Sequence, residues 1–189
     1  MYITYQNFAA IPKPEAYRAI FIMRDPRDIL ISWYFSTAYS HPIVSKEDKM
    51  AQNRRSLQES TLEEGLLYGI EFLNERGLFV ALESWINTDT HDPNVLLVRY
   101  EDIVGTDFER FFRRIFEHCN VALPDKAFKA LLNDYSFKQM TGRGQGVEDK
   151  SSKFRKGIAG DWKNHFTDKV ETQFEKITGN LVTQLGYNQ

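Results

Sequence analysis

Three observations predict a parallel α/β fold for this chain. Two short apolar runs, Ala19 to Met23 and Val95 to Val98, each stop at an arginine and read as buried strands. Capped helical patterns fill the long intervals between and after them, as crossover connections between parallel strands require. With 189 residues, 42% hydrophobic and 14% aromatic, the chain can bury a sizeable core. A single domain over residues 1–189 is therefore expected.

The first strand ends at Arg24-Asp25-Pro26-Arg27-Asp28, after which Ile29 to Phe35 continues as a helix. Asp25 suits an N-cap, Pro26 sits where a missing N–H costs nothing, and Asp28 occupies the capping-box position. An arginine at a strand's carboxyl end beside a helix N-terminus is a sensible phosphate site. The alternative is that Arg24 and Arg27 pair with Asp25 and Asp28 on the surface. Ser40 to Ser60 is polar and weakly periodic, a mobile loop or short helix over an active site. Thr61-Leu62-Glu63-Glu64 is a capping box that opens a long helix through about Ile86. Its aromatics either line an acceptor pocket or, as their spacing favours, pack in the core.

Val95 to Val98 is the second strand, followed by the polar turn Arg99-Tyr100-Glu101-Asp102. Phe108 to Cys119 is an amphipathic helix with Arg110, Arg113 and Arg114 on its wet side. Asp125 to Leu132 starts another helix after Pro124, and Asp168 to Leu185 forms the last. The cluster Gly142-Arg143-Gly144-Gln145-Gly146 has no apolar strand before it and no Lys-Ser or Lys-Thr after it. It reads as a mobile loop whose arginine could fold over a nucleotide.

Composition narrows the function classes. A net charge of −2 and a pI near 6.1 supply no global field for nucleic acid, so anion binding must be local. Basic residues do gather from Lys150 to Lys163. The lone Cys119 excludes an internal disulfide and a cysteine zinc site. No apolar run approaches the roughly 20 residues that cross a bilayer, and residues 1–13 lack the pattern of a signal peptide. His41, His91, His118 and His165 stand in polar surroundings and read as surface residues.

The string Arg155-Lys156-Gly157-Ile158-Ala159-Gly160-Asp161-Trp162-Lys163-Asn164 resembles the C-terminal signature of cytosolic-type sulfotransferases, which use 3′-phosphoadenosine 5′-phosphosulfate (PAPS). Arginine offers a planar fork of donors, lysine a point charge, and glycine a bare backbone that phosphate oxygens can approach. The resemblance implies that Arg155, Lys156 and Gly157 close over the 3′-phosphate while Gly160-Asp161-Trp162 anchors the loop. Arg24, with Ser32 eight residues later, is similar to the family's other 3′-phosphate pair. Tyr100 stands where relatives place a tyrosine near adenine, although a structural hydrogen bond is an equal alternative. Asp134 to Met140 resembles a nucleotide-pocket segment; Tyr135 replaces its threonine, so the implication rests on Ser136 and Phe137.

By this resemblance the fold is a P-loop-NTPase-like parallel sheet flanked by helices. PAPS is the co-substrate without a metal, the acceptor is a small molecule or carbohydrate, no nucleic acid or membrane is a partner, and the location is cytoplasmic. The family's phosphosulfate loop, of Lys-Ser-Gly-Thr-Thr type, has no counterpart, nor does its catalytic histidine, near whose place stands Tyr5. A tyrosine, with a reference pKa of about 10, is a poor base at neutral pH. Without the central first strand the sheet is expected to be incomplete at the N-terminus and to expose an edge. A fragment, a gene model begun at an internal methionine and a degenerate paralogue are the readings, in that order; an inactive nucleotide-binding or interaction module is the functional alternative. Lys163 and Thr167 fit a dimerisation motif of some relatives, whereas Asp168 and Thr172 depart from it, which leaves the oligomeric state open.

Overall fold

A computed structural model describes residues 2–45, 48–86 and 92–187. His91 lies outside them. In chain order the elements are α1 (Tyr5–Ala10), β1 (Ala19–Met23), α2 (Pro26–Phe35) continuing into a π-helical turn (Ser36–Ser40), α3 (Lys49–Glu59), α4 (Leu62–Glu75) and α5 (Leu78–Ile86). Then follow β2 (Val95–Arg99), α6 (Tyr100–Val104), α7 (Phe108–His118), α8 (Asp125–Asp134), α9 (Phe137–Thr141), a 3-10 turn (Asp161–Asn164), α10 (Asp168–Thr178) and α11 (Leu181–Gln184). The residues form two compact units: Met1–Pro12 with Asp25–His91 and Gly160–Gln189, and Lys13–Arg24 with Asp92–Ala159.

The second unit holds the sheet. β1 and β2 pair in parallel from Ala19↔Val95 to Met23↔Arg99. Leu96 and Val98 are buried, as expected, but their register partners Ile20 and Ile22 are 39% and 53% exposed. Register partners share a face of a parallel sheet, so that face is covered over β2 and open over β1. The expectation of a buried first strand therefore fails on one face, because the packing that covers Leu96 and Val98 does not extend over Ile20 and Ile22. His118, expected at the surface, is half-buried, with Nε2 3.1 Å from the Ala19 carbonyl and 3.0 Å from that of Asn94. Two acceptors require that this nitrogen carry the proton. The end of α7 is thereby tied to the start of the sheet. Arg113 bridges α7 and α8 instead of merely facing water: it pairs with Glu109 and Asp125 and lies 4.3 Å above the Phe128 ring.

The first unit is helical. Leu30 and Ile31 of α2, Leu66, Ile70 and Leu73 of α4, and Val170 of α10 are fully buried, an apolar stripe on each helix that supplies the main stabilisation. The Thr61 capping box forms as expected, with Glu64 N–H donating to Thr61 Oγ1 and Thr61 N–H to Glu64 Oε2. The single helix expected through Ile86 is broken at Gly77, whose φ of +78° is outside the helical range; the result is α4 and α5. The last helix likewise splits at Gly179, and the polar stretch from Ser40 contains α3. Tyr5 packs edge-on to Trp85 at 5.3 Å, and its N–H donates to Ser84 Oγ, which seats α1 on α5. Among the described residues no helix is long and apolar enough to cross a membrane.

Glu63 joins the start of α4 to that of α10, accepting from Thr167 Oγ1 at 2.6 Å and Lys169 Nζ at 3.3 Å. The Thr167 hydroxyl, then the Lys169 ammonium, hold its carboxyl below the ordinary 4.5. A depressed carboxyl stabilises the fold fully above its unfolded value and loses that contribution as pH falls through the folded one. Glu63→Gln is therefore expected to weaken the decline of the urea midpoint between about pH 5 and 3. Equal declines in the two proteins would count against the pairing.

Candidate functional site

Arg24 and Tyr100 each follow the last registered pair of the sheet, Met23↔Arg99. Parallel register therefore brings them side by side at the carboxyl ends of the strands, where open α/β sheets present ligand sites. The Arg24 guanidinium lies 4.4 Å from the Tyr100 ring centroid. A cation on an aromatic face is held in place while keeping its charge. The Tyr100 ring thus orients Arg24, a contact distinct from both roles expected of it.

Gly157 meets the Phe137 ring. It has φ +67°, and a Cβ built there would lie 2.4 Å from the ring. Only a residue without a side chain can place its backbone so close. The loop carrying Arg155 and Lys156 is thereby set against the start of α9. Ser136 caps that helix, its hydroxyl accepting from the Gln139 N–H at 3.3 Å, while Tyr135 is 70% exposed.

The segment 142–149, which contains the expected loop Gly142 to Gly146, is pinned to the basic segment opposite. Gly146 N–H donates to Lys156 O and Asp149 N–H to Arg155 O, each at 2.9 Å. The Ser151 hydroxyl and N–H, with a contribution from the Arg143 charge, hold the Asp149 carboxyl below its ordinary range. Glu148 forms an ion pair with Arg155. The Arg143 side chain is engaged by the carbonyls of Val147, Phe154 and Arg155, so it does not stand open to fold over a nucleotide.

In the first unit, Ser32 lies inside α2 and is partly exposed. Asp25 caps α2 through the Arg27 N–H at 2.9 Å, as expected. Asp28, at the capping-box position, does different work: its carboxylate accepts from Gly160 N–H at 2.6 Å and Trp162 N–H at 2.9 Å. Arg27 pairs with Asp25 at 2.7 Å and spreads over the Trp162 ring at 3.8 Å. This pairing is buried, not at the surface, because tryptophan covers it. Asp161, 1% exposed, accepts from Asn164 and faces His165 Nε2 at 3.2 Å, so His165 too is a structural residue. The Asp25–Asp28 segment and the Gly160–Trp162 segment are thus halves of one latch.

A family model described as the sulfotransferase domain matches residues 5–186. This chain belongs to the sulfotransferase family. Sulfotransferase 2A1 of Homo sapiens is 28% identical over 172 residues, covering 85% of this chain and 54% of the relative. Sulfotransferase 2A2 of Mus musculus is 29% identical, with the same coverage, and 3-beta-hydroxysteroid sulfotransferase of Cavia porcellus is 26% identical, also with that coverage. The chain thus spans about half the length of the curated relatives it matches. Among solved structures, mouse sulfotransferase SULT7A1 complexed with PAP aligns with a TM-score of 0.58 at 23% identity, over 87% of this chain and 58% of that one. Retinol dehydratase in a complex with retinol and PAP aligns with a TM-score of 0.58 at 21% identity, over 87% and 47%. Its sulfotransferase fold is therefore P-loop-like α/β, as expected.

Of the expected site residues, the second unit of this family member brings together Arg24 with Tyr100, and Phe137 with Gly157, with Ser136, Arg155 and Lys156 adjoining the latter pair in sequence. Ser32 belongs to the first unit. Sequence reasoning missed Arg143 and Glu148 as partners of the basic loop, and the pairing of Asp28 with Gly160 and Trp162. The one available sign was an arginine set between two glycines at Gly142-Arg143-Gly144.

Proposed function

We propose that this chain supplies the 3′-phosphate-binding part of a PAPS-dependent sulfotransferase acting on a hydroxyl or amine of a small molecule. The observation that carries the reading is Gly157 seated on Phe137 at a distance no side chain permits. It sets the Arg155-Lys156-Gly157 loop against the one other segment of this unit, beyond Arg24 and Tyr100, that resembles a nucleotide-pocket motif. The donor set fits a phosphate dianion: a guanidinium, an ammonium and the backbone N–H of a glycine. Within the second unit, Arg24, Arg155, Lys156 and Gly157 bind the 3′-phosphate. Tyr100, Ser136 and Phe137 border the nucleoside.

PAPS supplies an activated sulfuryl group: the acceptor oxygen or nitrogen bonds to sulfur, the bond from sulfur to the 5′-phosphate oxygen breaks, and the bisphosphate leaves with the electron pair. The residues of this chain position the donor and offset its charge, which is the main protein contribution to such transfers. No residue here is assigned as the base that takes the acceptor proton. The names of the relatives, hydroxysteroid sulfotransferase among them, and the retinol-bound neighbour favour a hydroxylated apolar acceptor over a carbohydrate.

Calorimetric titration with 3′,5′-adenosine bisphosphate, against 5′-AMP as the control lacking the 3′-phosphate, tests the reading. Binding that requires the 3′-phosphate is expected, and Arg24→Ala or Lys156→Ala should each weaken it by about tenfold to a hundredfold, the worth of one charge-assisted contact. Equal affinity for both nucleotides, or unchanged affinity in both variants, would refute it.

A further inference from the structure

We infer that Arg143 is a positioning residue that shapes the Arg155-Lys156-Gly157 loop for anion binding without touching the anion; the inference rests on the proposed role of that loop. Arg143 Nη1 donates to Val147 O at 2.6 Å and to Arg155 O at 2.9 Å, and Nη2 donates to Phe154 O at 2.7 Å. Its guanidinium also stands over the Phe137 ring, 5.4 Å from the centroid. The base of the side chain is fixed by its own N–H, which donates to Thr141 Oγ1 at 3.1 Å, and that hydroxyl in turn donates to Phe137 O at 2.6 Å.

The consequence lies in the carbonyls. Phe154 O and Arg155 O are held by Arg143, Arg155 O also by Asp149 N–H, Lys156 O by Gly146 N–H, and Gly157 O by Gln145 Nε2 at 3.2 Å. Each carbonyl from Phe154 to Gly157 is therefore engaged by the segment 143–149. A carbonyl oxygen repels phosphate, whereas an N–H attracts it. Holding the acceptors on one side keeps them from the anion, and two of the four are held by a fixed cation. A guanidinium suits this task because its planar fork reaches several acceptors at once; an ammonium on the same stem supplies the charge but not the fork.

The contribution of the fork separates from that of the charge in the variants Arg143→Ala and Arg143→Lys. Two quantities are read for each 189-residue chain: the ratio of affinities for 3′,5′-adenosine bisphosphate and 5′-AMP, and the hydrogen exchange of the Gly146 and Asp149 amides. Both variants are expected to lower the affinity ratio by about tenfold, the loss of a charge-assisted contact, and to exchange these two amides at least about tenfold faster. The core amides of Ile31 and Ile70 should exchange as in the wild type, which separates a change in the loop from failure to fold. An unchanged ratio in both variants overturns the inference. So does a lysine variant that matches the wild type, since charge alone would then suffice. A wild-type chain indifferent to the 3′-phosphate refutes the proposed function itself, and with it any positioning role for Arg143. The wild-type result thus judges the site, and the variants judge Arg143.

Discussion

Replacing Asp28 by alanine is expected to destabilise the chain by about 3–5 kcal/mol, since each hydrogen bond to a buried charged group is worth about 1.5–3 kcal/mol. Asp28 is fully buried, and both of its oxygens are committed, Oδ2 to the Gly160 N–H and Oδ1 to the Trp162 N–H. Alanine removes both acceptors and leaves two backbone donors with no acceptor from this side chain. The effect should spread to Trp162, which is held on its other side by the Arg27 guanidinium. Asp28→Asn should lose less, because the amide oxygen can still accept one bond while its NH2 opposes the second donor. Urea unfolding of the wild type and both variants checks the order. A loss below about 1 kcal/mol for alanine, within the range of a surface substitution, would show that the latch does not stabilise the chain.

Gly157→Ala is expected to weaken strongly the binding that depends on the 3′-phosphate. Two costs combine. The left-handed conformation at φ +67° disfavours an L-residue by roughly 1–2 kcal/mol, and a Cβ 2.4 Å from the Phe137 ring overpacks the contact by about 1–3 kcal/mol. The loop can relieve both by moving off α9, which displaces Arg155 and Lys156. Titration should therefore show a loss of roughly 30-fold or more in affinity for the bisphosphate, the equivalent of at least about 2 kcal/mol. Phe137→Ala in the same background removes the clash but not the backbone cost, and is expected to restore part of the loss. Wild-type affinity in Gly157→Ala would show that the close approach has no bearing on the nucleotide.

Local chemistry was legible without coordinates. Asp25 as a cap, the Thr61 capping box, the strand cores at Ala19 to Met23 and Val95 to Val98, and the helices that start at Phe108 and Asp125 all follow from near neighbours in the chain. Helix breaks were less legible. Gly77 and Gly179 occur inside apolar patterns that continue past them, and a periodicity of side chains does not report a reversed φ.

Residue type and spacing determined the family, the parallel α/β class and the set of candidate phosphate ligands, because those depend on strings of residues that need no partner to be recognised. What only the tertiary structure decided is which groups meet. Asp28 stands 132 residues from Gly160, and Arg143 stands 12 from Arg155. Near neighbours made Asp28 a helix-capping acid, and its turn-forming surroundings made Arg143 a loop residue. A buried carboxylate takes whichever donors the packing brings to it, and a guanidinium the carbonyls it can reach. Those pairings are a property of the folded chain.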